Sequence, residues 1–210
     1  MARFFYGLLW QLLFLIPLTC GATPFYIGGA GGYGSTTWQG LVPAPGKQNV
    51  AISMSTPEQV TEGGGVWGVW TGYEFGPLFA LEANYTRYAN AKVTFVEESL
   101  FSFDHDGLVS FDTQTETVSL MAKFMLFVPQ TLVRAYSSFG IAEVHRTDLL
   151  FNHWNVSPTF GLGLNYNVTP HWMIELVGNY TAGYGESELN PVEDYVPFLY
   201  SVMARVAYRV

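Results

Sequence analysis

Charge is what this chain most conspicuously lacks. Only 12% of its 210 residues are charged, against about 25% in an ordinary soluble domain, so a fully water-facing surface is hard to build from it. Cysteine is nearly missing as well. The single Cys20 allows no intrachain disulfide, which removes the usual staple of a small secreted domain. Beyond the N-terminal segment there is no apolar run of the roughly 20 residues that a spanning helix needs. Basic residues are scarce, nine against seventeen acidic ones for a net charge of −8; this argues against nucleic acid, which wants a basic stripe. What remains is plentiful: 49% hydrophobic residues, 17% aromatic and 22 glycines, a composition of strands and turns rather than helices.

The N-terminus reads as a secretory leader. Arg3 precedes an apolar run, Phe4–Leu18, that Pro17 breaks late. Cys20 and Ala22 supply small residues at the −3 and −1 positions of a cut after Ala22. The expected division is a leader over 1–22 and a single barrel domain over 23–210. A lipoprotein cut before Cys20 is disfavoured by Pro17 and Thr19, and an uncleaved membrane helix by the shortness of the run.

The rest of the chain alternates. From Pro197 to Val210 one row reads Phe198, Tyr200, Val202, Ala204, Val206, Tyr208, Val210 and the other Leu199, Ser201, Met203, Arg205, Ala207, Arg209. Period two is a strand with one row on each face. Seven earlier segments behave alike: Phe25–Trp38, Gly64–Phe75, Leu78–Ala91, Thr113–Val128, Thr131–His145, Val156–Val168 and His171–Tyr184. Short turns at Gly76-Pro77, Pro129-Gln130 and Thr169-Pro170 alternate with longer connections. The apolar row is unbroken, while the opposite row holds Gly, Ser, Thr, Asn and charges. A soluble barrel would put its apolar row inside. The reading is therefore an all-β fold: a transmembrane eight-stranded antiparallel up-and-down β-barrel with short periplasmic turns and long outer loops.

The opening Phe-Tyr-Ile-Gly-Gly-Ala-Gly-Gly-Tyr-Gly, the Gly72-Tyr73-Glu74-Phe75 end of the second segment and the closing Val206-Ala207-Tyr208-Arg209-Val210 resemble the OmpA-like eight-stranded outer-membrane proteins of Gram-negative bacteria. The resemblance spans the whole mature chain, as pattern more than identity. It implies a place in the cell outer membrane, contact with outer-membrane lipid and lipopolysaccharide, and insertion by the outer-membrane assembly machinery. Two features depart from the family. The chain ends on Val210 where an aromatic is usual, and no peptidoglycan-binding domain is expected after the barrel, so cell-wall anchoring is not carried over.

Strand parity sends Glu74, Glu82, Lys123, Arg134, Glu175, Arg205 and Arg209 to the lumen, three acids against four bases. Charge in a narrow interior demands pairing, and Glu82, Lys123, Glu175 and Arg205 count to about the same level along their strands. This set is expected to form a network that fixes register or gates a narrow pore. Aromatics group at two outward levels, as membrane belts do: Tyr73, Phe75, Trp172 and Tyr208 low, Tyr85, Tyr180, Tyr184 and Tyr200 high. Arg87 and Lys92 fall near the upper rim, where lipopolysaccharide phosphate or water would meet them.

Catalytic chemistry is not evident. Lipid A deacylases of this shape carry His-x-Ser, in which His activates the nucleophile; the four histidines here, His105, His145, His153 and His171, lack that serine. Asp104-His105-Asp106 reads as solvated loop rather than as a metal site. No cofactor is expected. The sequence supports a non-enzymatic outer-membrane barrel with acidic loops (Glu97, Glu98, Asp104, Asp106 and Asp112; Glu186, Glu188, Glu193 and Asp194), serving surface interaction with an extracellular or host ligand, adhesion, or envelope integrity. The alternatives are a small pore or transporter and, more weakly, a lipid A-modifying enzyme.

Overall fold

The structure is a computed structural model that describes residues 24–42, 56–96, 109–184 and 195–210. Ten strands form in chain order: β1 (Phe25–Ser35), β2 (Gln59–Thr61), β3 (Gly64–Gly76), β4 (Phe79–Arg87), β5 (Ala91–Thr94), β6 (Ser110–Phe127), β7 (Val133–Thr147), β8 (Asn152–Asn167), β9 (Trp172–Thr181) and β10 (Leu199–Arg209). Eight of them close a barrel in the order β1-β3-β4-β6-β7-β8-β9-β10, with β10 returning to β1 and every pair antiparallel. Closure leaves the barrel without a free edge, which is what lets strands cross lipid. The Val210 amide donates to the Phe25 carbonyl and the Glu74 amide to Pro24, so both ends of the barrel domain and the short turns share one rim.

β2 and β5 depart from the expected loops. They pair with each other, and β5 pairs with the upper part of β6, extending the wall at the opposite rim. Boundaries move too. β1 stops at Ser35, not at Trp38, because Thr37 takes a left-handed conformation (φ 53°) and Trp38–Leu41 forms a 3-10 turn. Glu62 holds that turn, accepting from the Trp38 amide at 2.6 Å and the Gln39 amide at 3.2 Å. The third expected segment ends at Arg87, and the β7–β8 hairpin runs past His145 and back from Asn152.

The two rows of each strand divide as the alternation requires. Ile27, Val69, Leu120, Leu162, Leu176 and Val206 are exposed on the outer face, while Glu82, Lys123, Glu175 and Arg205 are buried inside. This inverts a soluble protein and suits a lipid solvent. Glycines make the interior fit: a Cβ at Gly72 would collide with the Tyr26 ring, and one at Gly163 with the Tyr136 ring. The expected leader, 1–22, lies outside the described residues.

Candidate functional site

The lumen holds the chemistry, and its charges sit in two layers. In the central layer β4, β6, β9 and β10 each contribute one ionised side chain. Lys123 Nζ donates to Glu82 at 2.8 Å and also to Glu175. Arg205 Nη1 lies 3.4 Å from Glu82 and 3.8 Å from Glu175. Two acids and two bases thus close a ring across the barrel. Register sets it up: Arg205 lies opposite Glu175 on β10 and β9, and Lys123 is one step diagonal from Glu82 across β6 and β4. Two tyrosines complete the acceptors. Tyr26 donates to Glu82 at 2.8 Å and Tyr136 to Glu175 at 3.2 Å. Lys123 also rests 3.9 Å from the Tyr136 ring centroid, and Arg205 5.0 Å from that of Trp70, within cation–π range.

A lower layer lies toward the short-turn rim. Glu74 receives both terminal nitrogens of Arg134, at 2.8 and 3.3 Å, and Arg209 Nη2 at 2.5 Å. Arg134 Nε donates to Asn165 at 2.9 Å, and the Asn165 amide reaches Glu175 at 3.3 Å, which couples the two layers. All seven charged residues expected in the lumen are therefore there, and every one is bonded to another of them. Bonds spanning the lumen bring Lys123 to Glu175 and Arg205 to Glu82, joining the four residues expected at one level.

Above the central layer the lumen turns uncharged. Asn84, Thr86, Thr117, Ser119, Thr159 and Thr181 line a cavity of about 20 Å³ with Arg205 at its base, room for a single water. Asn84 Oδ1, Ser201 Oγ and Arg205 Nε, all buried, have no hydrogen-bond partner among the described residues. At the long-loop end an apolar cluster packs together that includes Trp38, Val60, Val93, Phe95 and Tyr195. Arg146 sits in it, fully buried, its guanidinium 4.5 Å from the Trp38 ring and 5.1 Å from that of Phe151. It donates to Asp148 at 2.6 Å and to the Tyr195 carbonyl at 2.8 Å.

Residues 20–195 match the outer membrane protein beta-barrel domain. The chain belongs to that family. No curated protein matches the sequence. Among solved structures, Neisserial surface protein A is similar at TM-score 0.52 and 14% identity, covering 90% of this chain and 99% of its own. OprG from Pseudomonas aeruginosa is similar at 0.51 and 11%, covering 90% and 98%. At such identity these two speak for the fold alone. The protein is an outer-membrane β-barrel, and its outward apolar rows face that membrane's lipid.

A second group of polar side chains lies on the outer face at the long-loop rim. Arg87 is there, half-buried on the outward row of β4, donating to Gln114 at 2.8 Å. Lys92 is exposed on β5, opposite Asp112; no contact joins it to Arg87 among the described residues. Beside Arg87, Glu116 accepts from Tyr85 at 2.6 Å and lies 2.9 Å from His145 Nδ1. The His145 ring stacks on Trp154 at 4.3 Å. Among the described residues no cluster of three His, Cys, Asp or Glu could hold a metal; Asp104-His105-Asp106 and most of the acidic loop residues lie outside them. Sequence reasoning missed Arg146, Trp38 and Glu62. For Arg146 the signal is in the alternation, since it continues the lumen row Arg134, Tyr136, Ser138 two residues past Val144, and β7 runs on to Thr147, beyond the expected end at His145.

Proposed function

We propose that this protein is a sealed, non-enzymatic scaffold in the outer membrane, whose work is done at its extracellular end in surface interaction or envelope integrity. The observation that carries this reading is the closed lumen: a neutral ring of Glu82, Lys123, Glu175 and Arg205, a second layer beneath it, and an apolar lid anchored by Arg146 above. An eight-stranded barrel is just wide enough for its own side chains to fill it. The lumen network then serves register and closure. The acidic outer loops would meet an extracellular or host ligand, Arg87 and Lys92 would meet lipopolysaccharide phosphates, and the outer-membrane assembly machinery would insert the chain after loss of a leader over 1–22. The missing His-x-Ser supports a role without catalysis.

A gated small pore is the rival. It draws on the polar cup above the central layer, where Asn84, Ser201 and Arg205 keep unpartnered atoms that suit water. Complementation separates the two. Cells lacking the protein would receive either the whole chain or one with 185–194 replaced by a short Gly-Ser linker. A function at the outer loops predicts that the shortened protein reaches the outer membrane yet fails to restore detergent resistance or surface attachment. Full restoration by the shortened chain would contradict it.

A further inference from the structure

The lipid-facing wall is not uniformly smooth. A trough of about 250 Å³ runs over β3, β4 and β6, walled by Ile27, Val69, Tyr85 and Val118. Its floor is low because Thr71 and Ala83, paired across β3 and β4, are small residues set on their outward rows between the larger Val69 and Tyr73 and the larger Leu81 and Tyr85. Thr71 donates its hydroxyl to the Tyr26 carbonyl at 2.8 Å, so its polar atom is already satisfied and the floor it leaves is apolar. The position decides what chemistry can occupy the trough: it lies among rows that face the bilayer, so its occupant is a hydrocarbon chain.

Its upper end is not apolar. Arg87 lies four residues above Ala83 on the same outward row, about 13 Å at the usual strand rise. The neighbouring carboxylate, Glu116, attracts the guanidinium across the strand pair but forms no ion pair with it among the described residues; its oxygens meet Tyr85 and His145 instead. Arg87 bonds the neutral Gln114 and the Tyr85 hydroxyl, neither of them an anion, which leaves donors of its five-donor fork for one. Trp67, opposite Arg87 on β3 and in edge contact with Tyr85 (5.8 Å), supplies the aromatic shoulder common at the polar–apolar boundary.

We propose that the Ala83 trough and Arg87 together form a seat for one phosphorylated, acylated lipid of the outer leaflet, lipid A, with an acyl chain along Thr71 and Ala83 and a phosphate on the Arg87 guanidinium. The inference deepens the rim contact assigned to Arg87 above and rests on it. A second groove in the wall, about 380 Å³ around Gly178, Leu162, Leu176 and Val202, has no cation among its lining residues. It should hold chains without regard to headgroup, which makes it an internal control.

Native mass spectrometry of the folded barrel in detergent, offered lipid A, its dephosphorylated form or phosphatidylglycerol, tests the seat. Folding of each variant is checked first by the shift between unboiled and boiled protein on a gel. The wild type should retain one lipid A in preference to either competitor, by about tenfold, the ratio worth one charge-assisted contact. Arg87→Gln should erase the preference for phosphate while chains are still retained. Ala83→Leu, which fills the trough, should abolish specific retention, whereas Gly178→Leu should leave the preference unchanged. Equal retention of lipid A and its dephosphorylated form by the wild type would remove both the seat and the rim contact. Undiminished retention by Ala83→Leu would remove the seat alone, and phosphatidylglycerol held as tightly as lipid A would overturn the identity of the lipid.

Discussion

Glu82 is where the polar bonds of the lumen converge. It accepts from Tyr26, Lys123 and Arg205, so its loss strips a partner from two buried cations at once. Breaking a buried pair costs about 3–5 kcal/mol, and Glu82→Ala should fall at the lower end of that range because Lys123 keeps Glu175. Adding Lys123→Met restores charge balance in the ring. A double-mutant cycle in detergent should therefore show the pair of changes costing less than their sum; additive costs would mean that Glu82 and Lys123 act independently. Arg146 offers a second test at the same scale. Arg146→Met leaves buried Asp148 without its ion partner and removes the stacking cation from Trp38. The folded barrel should keep its gel shift yet be cut faster by protease in its outer segments. Equal cleavage would mean that Arg146 does not hold the lid. Which residues face inward was legible from alternation alone. Which of them touch across the lumen was not, since that depends on shear and on side-chain reach through a space the sequence does not describe.

Strands carry the membrane assignment, and β8 shows how. Its even-numbered residues Val156, Pro158, Phe160, Leu162 and Leu164 face out, and its odd-numbered Ser157, Thr159 and Asn165 are buried. Leu162→Arg places a cation against mid-bilayer lipid and should cost about 2–4 kcal/mol, whereas Glu143→Arg, outward and near the rim, should cost about 0–1 kcal/mol. Refolding titrations into lipid vesicles measure both. Similar costs at the two sites would contradict the depth assigned to them. The inner row of β8 tolerates less than its glycines suggest. A Cβ at Gly161 would sit 2.5 Å from Ser138 Oγ and 2.8 Å from Asn179 Oδ1, so even a serine there must displace its neighbours. Strand ends were the least legible part. The alternation runs straight through Thr36 and Thr37, and only the left-handed turn at Thr37, held in place by Glu62 from beyond the first loop, shows where β1 stops. The added strands β2 and β5 are short, three and four residues, and they form because β5 pairs with the tall β6 and β2 with β5, a tertiary effect that no local pattern announces.

The whole molecule is a closed wall around an interior that has neutralised most of its own charge. Its central layer balances two acids with two bases, its lower layer sets one acid against two bases, and an apolar lid lies over a small polar cup. Low overall charge and eight alternating segments point from the sequence alone to such an object in a membrane. Its closure depends on contacts between residues as far apart as Glu82 and Arg205, which only the folded barrel brings together. Conductance across a planar bilayer tests that closure most directly. Folded protein inserted singly should show no sustained current at moderate voltage, and Glu82→Ala should introduce at most brief, flickering openings. A large, stable conductance in the wild type would mean that the layers do not close the lumen, and that the barrel is a pore.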